Sequence, residues 1–187
     1  MNLFRWIASF VLFLQLPVPL YWFVVHPQIN FWRRHRTAVY FAGLLVSWPV
    51  VTAGLIIFRR ELLLSGTAPF WRVVLGFLLV AFEIWIFWRS QRDLGIARFV
   101  GETELSGGGE IVSRGIYARI RNPRYVGSFL AILGACFLAG TGMLWIVASV
   151  WAILMLAVIA MEEREMRARF GQSYLDYCGR VPRFLPF

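Results

Sequence analysis

Two polar clusters in the last third of the chain contain residue types that bind a charged small molecule. The first is the run Arg-Asn-Pro-Arg-Tyr at positions 121–125, and the second combines the pair Glu162 and Glu163 with Tyr174 and Tyr177. Arginine pairs with carboxylates, glutamate accepts hydrogen bonds from amines and sugar hydroxyls, and tyrosine rings stack on bases or face cations. Together the clusters predict a site for a cofactor that carries charges and an aromatic ring.

The stretch that separates these clusters has the properties of a membrane hairpin. No charged residue occurs between Arg124 and Glu162, and only Thr141 and Gly142 separate the two apolar segments of this stretch. Two apolar segments joined by so short a turn run antiparallel. We therefore expect the hairpin to return both clusters to the same face of a membrane.

The composition of the 187-residue chain predicts an integral membrane protein. Hydrophobic residues make up 59% of it, aromatic residues make up 17%, and the mean hydropathy is +0.66, which is far from the composition of a soluble domain. Apolar segments occupy residues 6–25, 37–58, 69–88, 125–140 and 143–161, and the fourth of them is short for a bilayer span. We predict an all-α bundle of about five transmembrane helices, folded as one domain over residues 1–187.

The basic residues predict the orientation of this bundle. All 19 are arginines, and the formal net charge is +9. With the N-terminus outside, all but Arg5, Arg59, Arg60 and Arg72 fall in segments that face the cytoplasm, as the positive-inside rule requires. Contact with anionic membrane lipids explains such arginines, so we do not expect nucleic-acid binding. We expect an integral protein of the bacterial cytoplasmic membrane, with its C-terminus and both polar clusters in the cytoplasm.

Cysteine and histidine residues indicate no metal or redox site. Cys136 and Cys178 fit no metal-ligand or redox motif, and we interpret Cys136 as a small packing residue. His26 and His35 have no carboxylate or cysteine near them in the sequence. We therefore predict that the protein binds no metal ion.

Several motifs within residues 85–187 occur in a combination and order that resemble those of a known family. They are Gly-Ile-Tyr at 115–117, the run at 121–125, the glutamate pair at 162–163, Phe-Gly at 170–171 with the two tyrosines that follow, and the closing Val-Pro-Arg-Phe-Leu-Pro at 181–186. This region resembles the isoprenylcysteine carboxyl methyltransferase family and its phospholipid methyltransferase relatives. The resemblance implies S-adenosylmethionine-dependent methyl transfer to a lipid-like or isoprenoid acceptor at the cytoplasmic membrane face.

The resemblance also implies roles for particular residues. A site formed by the loop before the fourth helix and the C-terminal segment would hold the cofactor. Glu163 and Arg183 would take part in the reaction, Arg183 by handling the acceptor. The cofactor-binding residues would be Tyr117, Arg121, Asn122, Pro123, Tyr125, Glu162, Glu163 and Tyr174. Asn122 stands where the family has a histidine, and because asparagine does not titrate, any scheme with a proton relay at this position is in question.

Other interpretations of these residues stay open. Glu163 with Arg167, and Glu165 with Arg169, have the spacing of ion pairs on a solvated helix. An NADPH-dependent membrane reductase of the sterol-reductase type has a similar arginine and proline motif, and a non-catalytic membrane scaffold would keep the fold without the reaction. Binding of labelled S-adenosylmethionine and of NADPH distinguishes the three classes of protein.

The sequence does not identify the acceptor or an oligomeric state. The glycine stretch at 107–109 is interpreted as a connector, because the lysine and hydroxyl of a P-loop are missing. Glu83 lies inside the third apolar segment, where a carboxylate usually faces a cavity or a partner. A carboxylate, amine or thiol acceptor is compatible with these features. We expect its tail to enter from the bilayer past small residues such as Gly127 and Gly134.

Overall fold

The polypeptide is helical in the ranges that its computed structural model describes, which are residues 3–35, 38, 41, 43–95 and 110–184. The α-helices are α1 Leu3–Gln15, α2 Pro17–Val25, α3 Ile29–Arg34, α4 Trp48–Ile57, α5 Phe70–Leu94, α6 Pro123–Ala139, α7 Gly142–Phe170 and α8 Gln172–Arg180. Short 3₁₀ turns occupy His26–Gln28 and Gly115–Ala118, and π turns occupy Gly43–Ser47 and Arg60–Leu64. These ranges contain no strand, which confirms the all-α prediction.

Within the described ranges, three helical stretches are long and apolar enough to cross a membrane. They are Leu3–Arg34, Phe70–Leu94 and Gly142–Phe170. Two other apolar helices, Leu45–Ile57 and Pro123–Ala139, are shorter. By length and composition these helices belong to an integral membrane protein, and the count of five spans stays a prediction.

Helices α5 and α6 pack closely because each has a glycine at the contact. A Cβ atom on Gly134 would lie 2.7 Å from Val80 Cγ2 and 3.0 Å from the carbonyl oxygen of Gly76. A Cβ atom on Gly76 would in turn lie 2.7 Å from Leu138 Cγ. Small residues let membrane helices approach in this way. The contact sets the register of α5 against α6.

The turn between α6 and α7 has the antiparallel geometry of the predicted hairpin. Gly140 ends α6 with a left-handed φ of 71°, and a Cβ atom there would lie 2.2 Å from the carbonyl oxygen of Thr67. Thr141 donates a hydrogen bond of 2.7 Å to the carbonyl oxygen of Leu62. Next to the turn, fully buried side chains of both helices form the core, and Cys136 is one of them. Cys136 is therefore the packing residue that the sequence predicts.

The bundle has two chemically distinct ends. At the end with the α6–α7 turn, Arg5 donates a hydrogen bond of 2.7 Å to the carbonyl oxygen of Gly66, a residue that touches the turn. At the opposite end, Glu165 of α7 pairs with Arg33 at 2.5 Å and with His26 at 3.3 Å. His26 has no carboxylate near it in the sequence, but in the folded chain α7 brings Glu165 to it across 139 residues.

Candidate functional site

Both polar clusters line one cleft at the end of the bundle opposite the α6–α7 turn. We call it the polar cleft; its volume is about 100 Å³. Its walls include every predicted cofactor-binding residue: Tyr117, Arg121, Asn122, Pro123, Tyr125, Glu162, Glu163 and Tyr174. Most small-molecule sites occupy roughly 300–1,000 Å³. The polar cleft is therefore smaller than a typical small-molecule site.

The loop that carries Tyr117 is held by α5 and by α8. The Ile116 backbone N–H donates a hydrogen bond of 2.8 Å to Asp93 Oδ2 at the end of α5. Gly115 has a left-handed φ of 58°, and a Cβ atom there would lie 2.0 Å from the same oxygen, so the turn requires glycine. From α8, the buried Tyr177 hydroxyl donates a hydrogen bond of 2.7 Å to the Tyr117 carbonyl oxygen. The Gly-Ile-Tyr motif therefore has a structural role, which is to form the turn that α5 and α8 hold in place.

The segment after α8 lies alongside the segment before α6. The Arg121 backbone N–H donates to the Pro182 carbonyl oxygen at 2.9 Å, and the Asn122 backbone N–H donates to that of Arg183 at 3.3 Å. The Asn122 side-chain Nδ2 donates to the same Arg183 oxygen at 3.3 Å. These hydrogen bonds hold the C-terminal segment against Arg121 and Asn122, which line the polar cleft.

Glu163 is the centre of a buried network that joins the two clusters. The residue is only 3% exposed and accepts hydrogen bonds from Arg183 Nε at 3.1 Å and Nη2 at 2.6 Å. Asn122 Nδ2 donates to it at 3.1 Å, and Arg121 Nη2 lies 3.8 Å away. Protein side chains thus supply the hydrogen-bond donors and the positive charge that this carboxylate needs. Glu163 is placed to position the three residues that surround it.

Burial and pairing shift the pKa values of groups around this network. Burial raises the pKa of Tyr117 to about 12 and also raises the pKa values of Tyr174 and Tyr177, because the charged phenolate would lose its hydration. The hydrogen bond to Glu163 raises the pKa of the Arg183 guanidinium by stabilising its charged form. At neutral pH the polar cleft is therefore lined by neutral tyrosines beside a charged pair.

Arg121 Nε and the Tyr117 hydroxyl are among the buried polar groups of the polar cleft that have no hydrogen-bond partner in the described part of the chain. The Ser90 hydroxyl is near enough to that of Tyr117 to affect its pKa, but it does not reach hydrogen-bond geometry. Buried polar groups are normally paired. A carboxylate and a sugar or base would satisfy these two groups, and Glu162, which accepts a hydrogen bond from Tyr125, adds an acceptor for an amine.

A second and larger cavity lies beside the polar cleft in the apolar part of the bundle. We call it the apolar cavity; its volume is about 810 Å³, and α1, α2, α5 and α6 supply most of its walls. The α1 wall is mainly apolar, with residues such as Phe10 and Leu14, and it also includes the polar Gln15. Arg124 and Tyr125 line both the apolar cavity and the polar cleft. The two spaces therefore meet at the first turn of α6.

The two α6 glycines that the sequence analysis assigns the same role, Gly127 and Gly134, have different surroundings in the structure. Gly127 lines the cavity, and a Cβ atom there would have ordinary contacts of 3.4 Å with Ile86 and 3.6 Å with Glu83. Gly134 is instead packed against α5, with Val80 at 2.7 Å from a Cβ position. Of these two glycines, therefore, only Gly127 borders the apolar cavity, whereas the sequence suggests the same role for both.

Glu163 and Glu165, the two glutamates with helical ion-pair spacing, have different partners in the structure. Glu165 pairs with Arg169 at 3.7 Å, as the spacing predicts, but both side chains are only 13% exposed, so this pair does not lie on a solvated helix face. Glu163 is turned inward to Arg183, whose side chain is 40% exposed and is not part of the polar cleft wall. Arg183 therefore lies behind Glu163 rather than inside the cleft.

Several residues of the polar cleft were not predicted from the sequence. Those on α7 are Met166, Arg169 and Phe170, and Ile111 and Val112 precede the Gly-Ile-Tyr motif. The α7 residues follow Glu162 and Glu163 at helical spacings of three, four and seven, so the periodicity of one helix face would have identified them. The glycine stretch at 107–109 lies outside the described residues.

Comparison with protein-family models agrees with the motifs and the geometry. A family model described as phospholipid methyltransferase matches residues 71–173, just over half of the chain. This region contains α5, α6, α7 and most of the polar cleft. No curated protein matches the chain. The family match confirms the relationship that the run at 121–125 and the glutamate pair indicate, and the chain belongs to the phospholipid methyltransferase family.

Proposed function

We propose that this protein transfers the methyl group of S-adenosylmethionine to the head group of a lipid-like acceptor. Membership of the phospholipid methyltransferase family suggests membrane methyltransferase activity. The observation that carries the proposal is the meeting of the polar cleft and the apolar cavity at Arg124 and Tyr125. A charged cofactor and an apolar tail can therefore bind in separate spaces that adjoin at one point.

The polar cleft has residues that match the chemical groups of this cofactor. When bound, S-adenosylmethionine supplies a methyl carbon on a positively charged sulfur. Arg121 offers a buried guanidinium nitrogen to its carboxylate, and Glu162 offers a carboxylate to its amine or ribose hydroxyls. The rings of Tyr117, Tyr125 and Tyr174 offer stacking surfaces to the adenine and electron-rich faces to the sulfonium.

Glu163 and Arg183 support this site by holding its walls together. Their hydrogen bonds of 2.6 and 3.1 Å tie the C-terminal segment to α7, and the 3.1 Å hydrogen bond from Asn122 ties in the start of α6. Asn122 does this without titrating, so the network needs no proton relay. Methyl transfer depends on the alignment of donor and acceptor atoms, and orientation alone contributes up to about 7–11 kcal/mol. A fixed wall serves that alignment.

The acceptor tail occupies the apolar cavity in this proposal. The cavity of about 810 Å³ is lined mainly by apolar side chains. Each CH₂ group that stays out of water contributes about 0.8 kcal/mol, so entry from the bilayer is favoured over entry through water. The head group then reaches Tyr125, where the polar cleft begins.

Purified protein in lipid nanodiscs tests the reaction class. We expect it to bind labelled S-adenosylmethionine, to transfer the label to a lipid product, and to bind no NADPH. Arg121→Ala should weaken cofactor binding by at least about tenfold, whereas Arg119→Ala, which removes an exposed arginine two residues away, should not. Binding of NADPH alone would support the reductase, and binding of neither cofactor would support the scaffold.

We further propose that the polar cleft faces the cytoplasm, on the basis of the arginine distribution. Gly142 and Gly179 are exposed at opposite ends of the bundle, and each has open space for a side chain. In a Cys178→Ser background, Gly179→Cys should react with a membrane-impermeant maleimide only after the cells are opened. Gly142→Cys should react in intact cells. The reverse pattern would overturn this orientation without affecting the proposed chemistry.

A further inference from the structure

A largely buried carboxylate on α7 lies between the two binding spaces. Glu165 follows Glu162 and Glu163 on the same helix, but it lines neither the polar cleft nor the apolar cavity. Arg33 Nη2 donates to its Oε1 atom at 2.5 Å, and Arg169 Nη1 lies 3.7 Å from the same oxygen. A charge in such a site is costly once it loses its partner, so these groups are held together.

The second oxygen of Glu165 connects this carboxylate to the wall of the apolar cavity. The His26 side chain is buried, and its Nδ1 atom lies 3.3 Å from Glu165 Oε2. The His26 ring stacks on the ring of Trp22, with centroids 5.0 Å apart and planes inclined by 25°. Trp22 in turn lines the apolar cavity. A shift of this cavity wall therefore reaches Glu165 through one ring contact and one hydrogen bond.

The first oxygen of Glu165 connects it to the wall of the polar cleft. Arg169, which faces Oε1, lines the cleft together with Phe170, and its guanidinium carbon lies 5.0 Å from the centre of the Phe170 ring. Both carboxylate oxygens belong to one planar group, so losing the His26 contact to Oε2 changes how Oε1 faces Arg169. A connected set of side chains thus reaches from one binding space to the other. We call it the Glu165 network, and its members are Trp22, His26, Arg33, Glu165 and Arg169.

We propose that Glu165 is a positioning residue that couples the Trp22 wall of the apolar cavity to Arg169 in the polar cleft. This inference rests on the proposed methyl transfer and deepens it, because it states how the two binding spaces affect each other. An acceptor tail that fixes Trp22 also fixes His26 and Glu165, which then hold Arg169 in the arrangement that receives the cofactor. Thermodynamic linkage requires the cofactor to strengthen acceptor binding by the same factor. The coupling therefore favours the complex that contains both substrates and can react.

The apolar cavity provides a control of the same residue type. Trp48 also lines the cavity, but within the described residues it forms no ring contact, hydrogen bond or ion pair with the Glu165 network. The experiment measures equilibrium binding of labelled S-adenosylmethionine in dioleoylphosphatidylcholine nanodiscs. The variants are Trp22→Ala, Trp22→Phe, His26→Phe and Trp48→Ala, each made in the wild type and in a Glu165→Gln background. Glutamine offers a single acceptor oxygen, so it cannot receive His26 and the arginines on opposite sides. Thermal unfolding of each variant shows that it is folded.

We expect Trp22→Ala to weaken S-adenosylmethionine binding by about two- to thirtyfold, although Trp22 does not line the polar cleft. His26→Phe keeps the ring stack but loses the hydrogen bond to Glu165, so it should weaken binding by a similar factor. Trp22→Phe keeps a ring against His26 and should stay near wild type. In the Glu165→Gln background, Trp22→Ala and His26→Phe should have no further effect. Trp48→Ala should leave cofactor affinity unchanged in both backgrounds.

Three results would overturn the coupling while leaving methyl transfer intact. The first is unchanged affinity in both Trp22→Ala and His26→Phe, and the second is an equal loss with and without Glu165→Gln. The third is a loss in Trp48→Ala as large as that in Trp22→Ala. If Trp22→Ala does not fold, His26→Phe decides by the same comparison of backgrounds. A wild type that binds no S-adenosylmethionine would overturn the proposed function and this inference with it.

Discussion

The polar cleft and the apolar cavity share two residues but are built by different interactions. The cleft, of about 100 Å³, is enclosed by hydrogen bonds between segments that are distant in sequence. The cavity, of about 810 Å³, is left open between helices whose spacing is set by the close packing of Gly76 and Gly134. A change in the hydrogen-bond network should therefore affect stability and cofactor binding together. Away from Trp22, a change in the cavity wall should affect the acceptor alone.

The largest expected effect comes from removing the charge of Glu163. Glu163→Gln leaves Arg183 and Asn122 with weaker partners in a site that is 3% exposed at its centre. Charge-assisted hydrogen bonds contribute about 1.5–3 kcal/mol each, and the partial exposure of Arg183 favours the lower end of the total. We expect a loss of about 3 kcal/mol in the free energy of unfolding in detergent and at least tenfold weaker S-adenosylmethionine binding.

The control for this prediction is Asp176→Asn. Asp176 is exposed on α8, and in the described structure its carboxylate accepts a hydrogen bond from Gln172. Its replacement should change stability by less than about 0.5 kcal/mol. If Glu163→Gln were as stable as Asp176→Asn and bound the cofactor normally, the network would not hold the polar cleft together.

A pair of glycine substitutions on α6 compares the two regions directly. Gly134→Leu forces a side chain into a contact where a Cβ atom already lies 2.7 Å from Val80, so we expect a loss of about 1–3 kcal/mol in stability. Gly127→Leu meets only ordinary contacts and extends into the apolar cavity. Its stability and cofactor affinity should stay near wild type, while methylation of a long-chain acceptor falls several-fold. Equal destabilisation by both substitutions would remove the distinction between packed and open positions.

The sequence predicts the parts of this molecule that depend on local patterns. Apolar segments and a short turn indicate helices and a hairpin, and the glutamate pair after the last apolar stretch indicates a polar face at one end. The meeting of both clusters follows from these features, and the 3.1 Å hydrogen bond between Asn122 and Glu163 shows that they do meet. The family match rests on the same kind of information, because a family model describes residue types and their spacing along the sequence.

The remaining features depend on contacts whose geometry no local pattern encodes. Glu163 has the spacing of a surface ion pair with Arg167, yet it is buried because the chain returns 20 residues later with Arg183. His26 meets Glu165 across 139 residues for the same reason. The apolar cavity exists only when α1, α2, α5 and α6 are assembled. The sequence alone therefore cannot show that Gly127 borders a cavity and that Gly134 is closely packed, because both residues are glycines on the same helix.

Within the polar cleft, Tyr117→Phe should lower cofactor affinity without lowering the stability of the protein, and its effect should be smaller than those above. The Tyr117 hydroxyl is buried and has no hydrogen-bond partner in the described structure. Removing an unpaired buried polar atom costs little stability, so Tyr117→Phe should unfold at or slightly above the wild-type temperature. If a bound cofactor pairs with that hydroxyl, its affinity should fall by up to about tenfold. Calorimetry and equilibrium binding measure both quantities on one sample. Unchanged affinity would place the cofactor away from Tyr117.

The smallest effect is confined to alkaline pH and tests how dry the polar cleft is. Burial raises the pKa of Tyr117 from 10.0 to about 12, so in the folded protein it keeps a proton that the unfolded chain releases. Its stabilising contribution is fully present below pH 10.0 and is lost as the pH rises toward about 12. Tyr117→Phe removes this titration and should make the alkaline decline in unfolding free energy shallower by an amount on the order of 1 kcal/mol. The residues lining the apolar cavity provide the contrast, because Gly127→Leu changes no titrating group and should leave the decline as in wild type. A Tyr117→Phe profile parallel to wild type would mean that water reaches this hydroxyl, and that the polar cleft is more open than its 100 Å³ volume indicates.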